Sequence, residues 1–192
     1  MSGETAGTGA AEPVWEEEIR TTDALQTQAV AERLGRRLAA GDLLLLTGEL
    51  GAGKTTFTQG LGRGLGVRPG IISPTFVLVR IHPSLADGPD LVHVDAYRLG
   101  SSGEIDDIDL ENTMDTSVTV VEWGRGLVEH LSESRLEVTL LRPTGAGAGE
   151  SPAARQQDGA AGLSFEYDDD PDEERVIRFA AYGTRWKDNR LS

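Results

Sequence analysis

Short apolar runs alternate with helix-patterned segments along this chain, and that alternation predicts its architecture. Leu43 to Thr47 is a continuous apolar run behind a turn, the pattern of a strand buried on both faces. SVTVVEW (117–123) is β-branched and apolar up to an abrupt glutamate, and RLEVTLL (135–141) reads as a further strand. Val14 to Arg20 and Asp90 to Val94 read as short strands, and Ile71 to Ile81 as a strand interrupted early by SPT. Between the strands, TTDALQTQAVAERLGRRLAAGD (21–42) has helical spacing. Thr22 or Asp23 is placed to cap it, Leu25, Ala29, Leu34 and Leu38 fall on one face, and Gly41 supplies the stop. TTFTQGLGRGLGV (55–67) is helical in pattern although glycines weaken it. Asp106 to Asp115 and GRGLVEHLS (124–132) each predict a short helix.

Alternating strands and helices of this kind predict an α/β layer fold. Its sheet is mainly parallel, is flanked by helices and carries antiparallel strands at the C-terminal edge. LSFEY (163–167) and RVIRFAAYG (175–183) read as the two strands of a hairpin with the acidic run at its tip. The expected organisation is a tail over residues 1–13, one domain over 14–186 with a flexible low-complexity insertion at 143–162, and a tail over 187–192.

Composition narrows the function. The net charge of −14 opposes direct, tight binding of a phosphate backbone over a large surface. The acid is clustered in EEE (16–18), EIDDIDLE (104–111) and EYDDDPDEE (166–174), runs that read first as solvated faces and second as docking surface for a basic partner. Without cysteine there are no disulfides or thiolate metal sites. The first thirteen residues lack a basic and an apolar signal region, and no apolar run reaches membrane-spanning length, so a cytoplasmic protein is expected.

Lys54 is one of two lysines beside sixteen arginines, and it stands in GELGAGKT (48–55), which fits G-x-x-x-x-G-K-[ST] throughout and makes the expected α/β layer fold a three-layer P-loop NTPase. Glycines let successive backbone N–H groups point at phosphate oxygens, and the helix that follows adds its positive end. A lysine gives a compact charge for the β and γ phosphates where the planar arginine fork would not fit. Thr55 presents a hydroxyl to Mg²⁺, and Thr56 is placed for the α-phosphate. The ligand is a nucleoside triphosphate with Mg²⁺, and ATP is favoured because no N/T-K-x-D stretch exists to read guanine. Glu122, ending VTVVE, is the best-placed carboxylate for Mg²⁺, and Asp95 in LVHVDAYR is its rival.

GELGAGKTT, SPTF (73–76), HVDAYR (93–98) and VEWGR (121–125) together resemble the TsaE family, also called YjeE, across roughly residues 14 to 142. The resemblance implies the ATPase component of bacterial tRNA threonylcarbamoyladenosine (t6A) synthesis, working with TsaB and TsaD and meeting tRNA only through that complex. It implies that Glu49, Leu50, Gly51, Ala52, Gly53, Lys54, Thr55 and Thr56 line the phosphates, and that Thr55 and Glu122 hold Mg²⁺. Ser73 and Thr75 would sense the γ-phosphate, Asp95 would orient or activate the attacking water, and Trp123 would lie beside the site, its ring covering the nucleotide or meeting a partner. Lys54, Asp95 and Glu122 are thus the implied catalytic set. His93 fits a structural role at least as well as a chemical one. A small-molecule kinase on the same loop is the alternative, though no arginine-rich lid is evident. A nucleotide-dependent module that does not hydrolyse is a third class, against which the two acids speak.

Overall fold

The computed structural model describes residues 12–143 and 174–191. Among these, seven strands form one mixed sheet: β1 (Trp15–Thr21), β2 (Leu43–Thr47), β3 (Val79–His82), β4 (Asp90–Asp95), β5 (Ser117–Glu122), β6 (Arg135–Leu141) and β7 (Arg175–Tyr182). Their spatial order is β1-β7-β6-β2-β5-β4-β3. β2 is parallel to β5 and β6, and β5 to β4, which makes the expected parallel centre. β7 runs antiparallel between β6 and β1, and β3 runs antiparallel to β4 at the far edge.

The apolar run of β2 explains the layering. Leu44 and Leu46 enter one apolar cluster with residues of α1 (Ala24–Gly35) and α2 (Lys54–Leu65). Leu43 and Leu45 enter a second cluster on the other face with Ile105 of α3 (Ser102–Asp106) and Met114 of α4 (Glu111–Met114). Each of these four leucines is at most 1% exposed, and burial of each contributes on the order of 2 kcal/mol. β6, by contrast, is buried only at alternate positions, because the second cluster does not extend over it.

Several expectations need correction. Asp23 does cap α1, accepting from the Gln26 N–H at 2.8 Å, but the buried stripe is Thr27, Val30, Ala31 and Leu34. Leu25 is 75% exposed and Ala29 is exposed, since a true 3.6-residue stripe passes through Thr27, whose polarity hid it. Thr27 is accommodated by a 2.8 Å hydrogen bond between its hydroxyl and that of Thr21. The helix also stops at Gly35, and Gly41 instead occupies a turn that leads into β2. Of residues 71–81 only Val79–His82 includes strand, because a turn closed by the Val77 and Leu78 amides on the Pro74 carbonyl occupies the preceding stretch. Residues 106–115 do contain a helix, α4, but only over Glu111–Met114, with α3 ending at Asp106 and Asp109 left-handed between the two, while 124–132 yields a turn at 124–128 and a single 3₁₀ turn at Glu129–Leu131. The expected hairpin partner of β7 is replaced by β6 and β1, which occupy both its edges. LSFEY itself, like nearly all of the expected insertion, the acidic run and the N-terminal tail, lies outside the described residues.

The glycines of α2 have a packing reason. A Cβ on Gly60 would come within 2.4 Å of the Gln28 carbonyl, and one on Gly64 within 2.2 Å of the Glu32 carbonyl. α1 and α2 therefore touch backbone to backbone. Gly64→Ala would gain about 1 kcal/mol of helix propensity. Overpacking typically costs ~1–3 kcal/mol, and here the obstacle is rigid backbone. The packing term wins, so Gly64→Ala is expected to lower the urea midpoint, and an unchanged or raised midpoint would show that the helices part freely. Among the described residues no helix is long and apolar enough to cross a membrane.

Candidate functional site

The loop Gly48–Gly53 leaves the carboxyl end of β2 and runs straight into α2. Gly51 (φ 74) and Gly53 (φ 95) are left-handed, a region that side chains disfavour. Gly53 is the N-cap of α2 and offers no side-chain acceptor to the first-turn amides, which leaves that end of the helix suited to an anion. Lys54, the first helical residue, is 6% exposed. Its Nζ donates to the carbonyls of Gly48 at 2.8 Å and Glu49 at 3.0 Å and lies 4.2 Å from the centre of the Trp123 ring. Burial pushes the Lys54 pKa below the ordinary lysine value, while the Glu122 and Asp95 carboxylates pull it back up.

The two acids stand side by side because β4 and β5 are parallel and Asp95 is in register with Glu122. Both are 3% exposed. Asp95 accepts from the Thr75 hydroxyl at 2.5 Å, from the Ser73 hydroxyl at 3.5 Å and from the Tyr97 N–H at 2.9 Å. Glu122 Oε1 is 2.8 Å from His93 Nε2, and His93 is fully buried. Among the described residues His93 Nδ1 has no hydrogen-bond partner, so the tautomer with the proton on Nε2, donating to Glu122, fits best. Trp123 follows with φ 61, an outlier for so bulky a residue that costs on the order of 1–3 kcal/mol and marks a position held by its surroundings. The Tyr97 ring meets Trp123 edge-on with centroids 5.4 Å apart.

These elements enclose a cleft of about 390 Å³. Of the residues singled out in the sequence, Leu50, Gly51, Gly53, Lys54, Thr55, Thr56, Thr75, Asp95, Glu122 and Trp123 all line it. Glu49 and Ala52 do not: Glu49 turns to solvent and contributes its carbonyl to Lys54, and the Ala52 side chain packs into the apolar core. Gln59, Ile72 and Phe76 line the cleft without having been anticipated, and Phe76 is 75% exposed at its mouth. Arg142 and Arg175 also reach this loop from outside, donating to the carbonyls of Gly51 and Ala52, and no short motif contains them.

The donor set fits a magnesium-bound polyphosphate. A lysine, an open helix start and glycine backbone suit the anion. Among the described residues no group of three or more His, Cys, Asp or Glu side chains could hold a metal ion, which does not suit an all-protein cage. Mg²⁺ needs none, since it typically takes one or two carboxylates and completes its shell from substrate phosphates and water.

The family model described as threonylcarbamoyl adenosine biosynthesis protein TsaE matches residues 21–148. The chain is 61% identical over 122 residues to the tRNA threonylcarbamoyladenosine biosynthesis protein TsaE of Streptomyces coelicolor, covering 61% of this chain and 82% of that protein. The protein of the same name from Bacillus subtilis is 33% identical over 170 residues, covering 88% and 87%. Among solved structures, the crystal structure of YdiB from Bacillus subtilis superposes with a TM-score of 0.61 at 30% identity over 90% of each chain.

Proposed function

Because this chain belongs to the TsaE family, whose members serve t6A biosynthesis on tRNA, we propose that it is the ATP-hydrolysing component of that system. It binds Mg-ATP in the cytoplasm and hydrolyses it, and so drives or resets the partner proteins TsaB and TsaD, which modify adenosine 37 of ANN-decoding tRNAs. The observation that carries the reading is one cleft in which the glycine loop and buried Lys54 meet the adjacent carboxylates Asp95 and Glu122.

Each residue then has a task. The loop amides and the start of α2 bind phosphate oxygens, and Lys54 supplies the compact counter-charge for the β and γ phosphates. The Thr55 hydroxyl and the Glu122 carboxylate hold Mg²⁺, which offsets charge on the phosphate oxygens. His93 fixes the rotamer of Glu122 through its 2.8 Å hydrogen bond. Asp95 orients the attacking water. Its bonds from Ser73 and Thr75 couple that water to the 73–76 segment, so the segment senses whether a γ-phosphate is present. Trp123 covers the nucleotide. The net charge of −14 leaves contact with tRNA to the partners.

ATPase measurement with and without purified TsaB and TsaD tests the proposal. Weak turnover by the chain alone should rise severalfold when both partners are present. Equal turnover in the two conditions would sink the switch role.

A further inference from the structure

The outer side of the glycine loop is gripped by two arginines. Arg142, the residue after β6, donates from Nη2 to the Gly51 carbonyl at 2.7 Å. Arg175, which opens β7 and is 5% exposed, donates from Nε to the Ala52 carbonyl at 3.2 Å and from Nη2, at a long 3.5 Å, to the Gly51 carbonyl. β6 and β7 are antiparallel neighbours with Leu141 opposite Val176, so the end of one and the start of the other bring both guanidiniums to the same place. Gly51 is shaped for this contact, since a Cβ there would come within 2.8 Å of Arg142 Nη2.

A trans peptide sets its N–H opposite its C=O. Among the described residues there is no cis bond. Turning the Gly51 and Ala52 carbonyls outward onto guanidiniums therefore turns the amides of Ala52 and Gly53 the other way. The Ala52 amide is used within the loop, donating to the Glu49 carbonyl at 3.1 Å. Gly53, in contrast, lines the cleft.

We propose that Arg175, assisted by Arg142, is a positioning residue for the phosphate site: it fixes the Ala52–Gly53 peptide with the Gly53 amide toward the ligand's phosphates. The inference rests on the Mg-ATP reading of this cleft. A loop held in its binding conformation before the ligand arrives loses less freedom on binding, which strengthens affinity without any contact between the arginines and the nucleotide.

The test compares the full chain with its Arg175→Ala, Arg175→Lys and Arg142→Ala variants. Calorimetry gives the affinity for ADP and for ATP with Mg²⁺, urea midpoints without nucleotide report folding, and amide exchange is followed at Gly53. Arg175→Ala should weaken both nucleotides about tenfold and Arg142→Ala about threefold, within the range of one net hydrogen bond acting through the loop. Gly53 exchange should quicken in both. Arg175→Lys, which keeps the charge but loses the fork, should recover part of the loss, and millimolar guanidinium should restore affinity to Arg175→Ala. A folded Arg175→Ala chain with wild-type affinity overturns the inference. If that variant does not fold, unchanged affinity in Arg142→Ala, whose side chain is exposed, overturns it instead. A wild-type chain that binds neither nucleotide overturns the Mg-ATP reading itself, an outcome that needs no variant to detect.

Discussion

Lys54→Ala is expected to weaken ATP binding about a hundredfold or more and to bring hydrolysis to background. A unit charge about 4 Å from another is worth roughly 4 kcal/mol at an effective dielectric of 20, and this ammonium is buried among loop carbonyls rather than screened by bulk water. The same change removes two hydrogen bonds to the Gly48 and Glu49 carbonyls and the contact with the Trp123 ring. It also removes the cost of keeping a charge in a site whose burial already depresses its pKa. Those terms oppose each other, so stability should move by only about 1 kcal/mol, far less than binding. Lys54→Arg should fail to rescue, because a planar fork does not replace a compact ammonium between two converging carbonyls. Calorimetric titration with ATP and Mg²⁺, with a urea midpoint as control, reads both effects. Wild-type affinity in a folded Lys54→Ala chain would remove Lys54 from the phosphate site.

The parts of this molecule that were legible in its sequence are those decided locally. Leu43 to Thr47 and Arg135 to Leu141 form strands over the bounds their patterns predict, since burial on one or both faces is written into consecutive side chains. The glycine loop is legible for the same reason, as backbone freedom at Gly51 and Gly53 is needed whatever surrounds them. What could not be read depends on partners far along the chain. Thr27 looks polar until Thr21 meets its hydroxyl. Gly60 and Gly64 look like helix breakers until Gln28 and Glu32 of α1 are seen against them. β7 pairs on one edge with β6, more than thirty positions back (Leu141 opposite Val176), and on the other with β1 at the start of the chain, so a short hairpin with LSFEY was the natural error. The same blindness hid the arginines on the loop, because the bond from Arg175 to Ala52 spans 123 positions. His93 was ambiguous for a simpler reason: a histidine inside a strand gives no hint that its register neighbour Val120 lies two residues before the acid it holds.

That pairing decides how the acids should be tested. Glu122→Ala would strand the buried His93 Nε2 without an acceptor, at a cost of about 1–3 kcal/mol that would blur any functional loss. Glu122→Gln keeps an oxygen for Nε2 and removes only the charge, so it is the cleaner variant. It is expected to abolish most of the Mg²⁺ dependence of ATP binding and to lower partner-stimulated hydrolysis about a hundredfold or more, the range for loss of a central catalytic group. Asp95→Asn should behave differently. Asp95 already accepts three hydrogen bonds, two of them from the 73–76 segment, so its loss should depress hydrolysis while Mg²⁺-dependent binding largely survives. Titrating Mg²⁺ at fixed ATP and measuring turnover with TsaB and TsaD separates the two acids. If Glu122→Gln keeps normal Mg²⁺ dependence and Asp95→Asn loses it, the metal belongs to Asp95 and the roles exchange. Their adjacency across β4 and β5 makes that exchange geometrically easy, so charge-only substitutions at both positions are needed rather than one truncation.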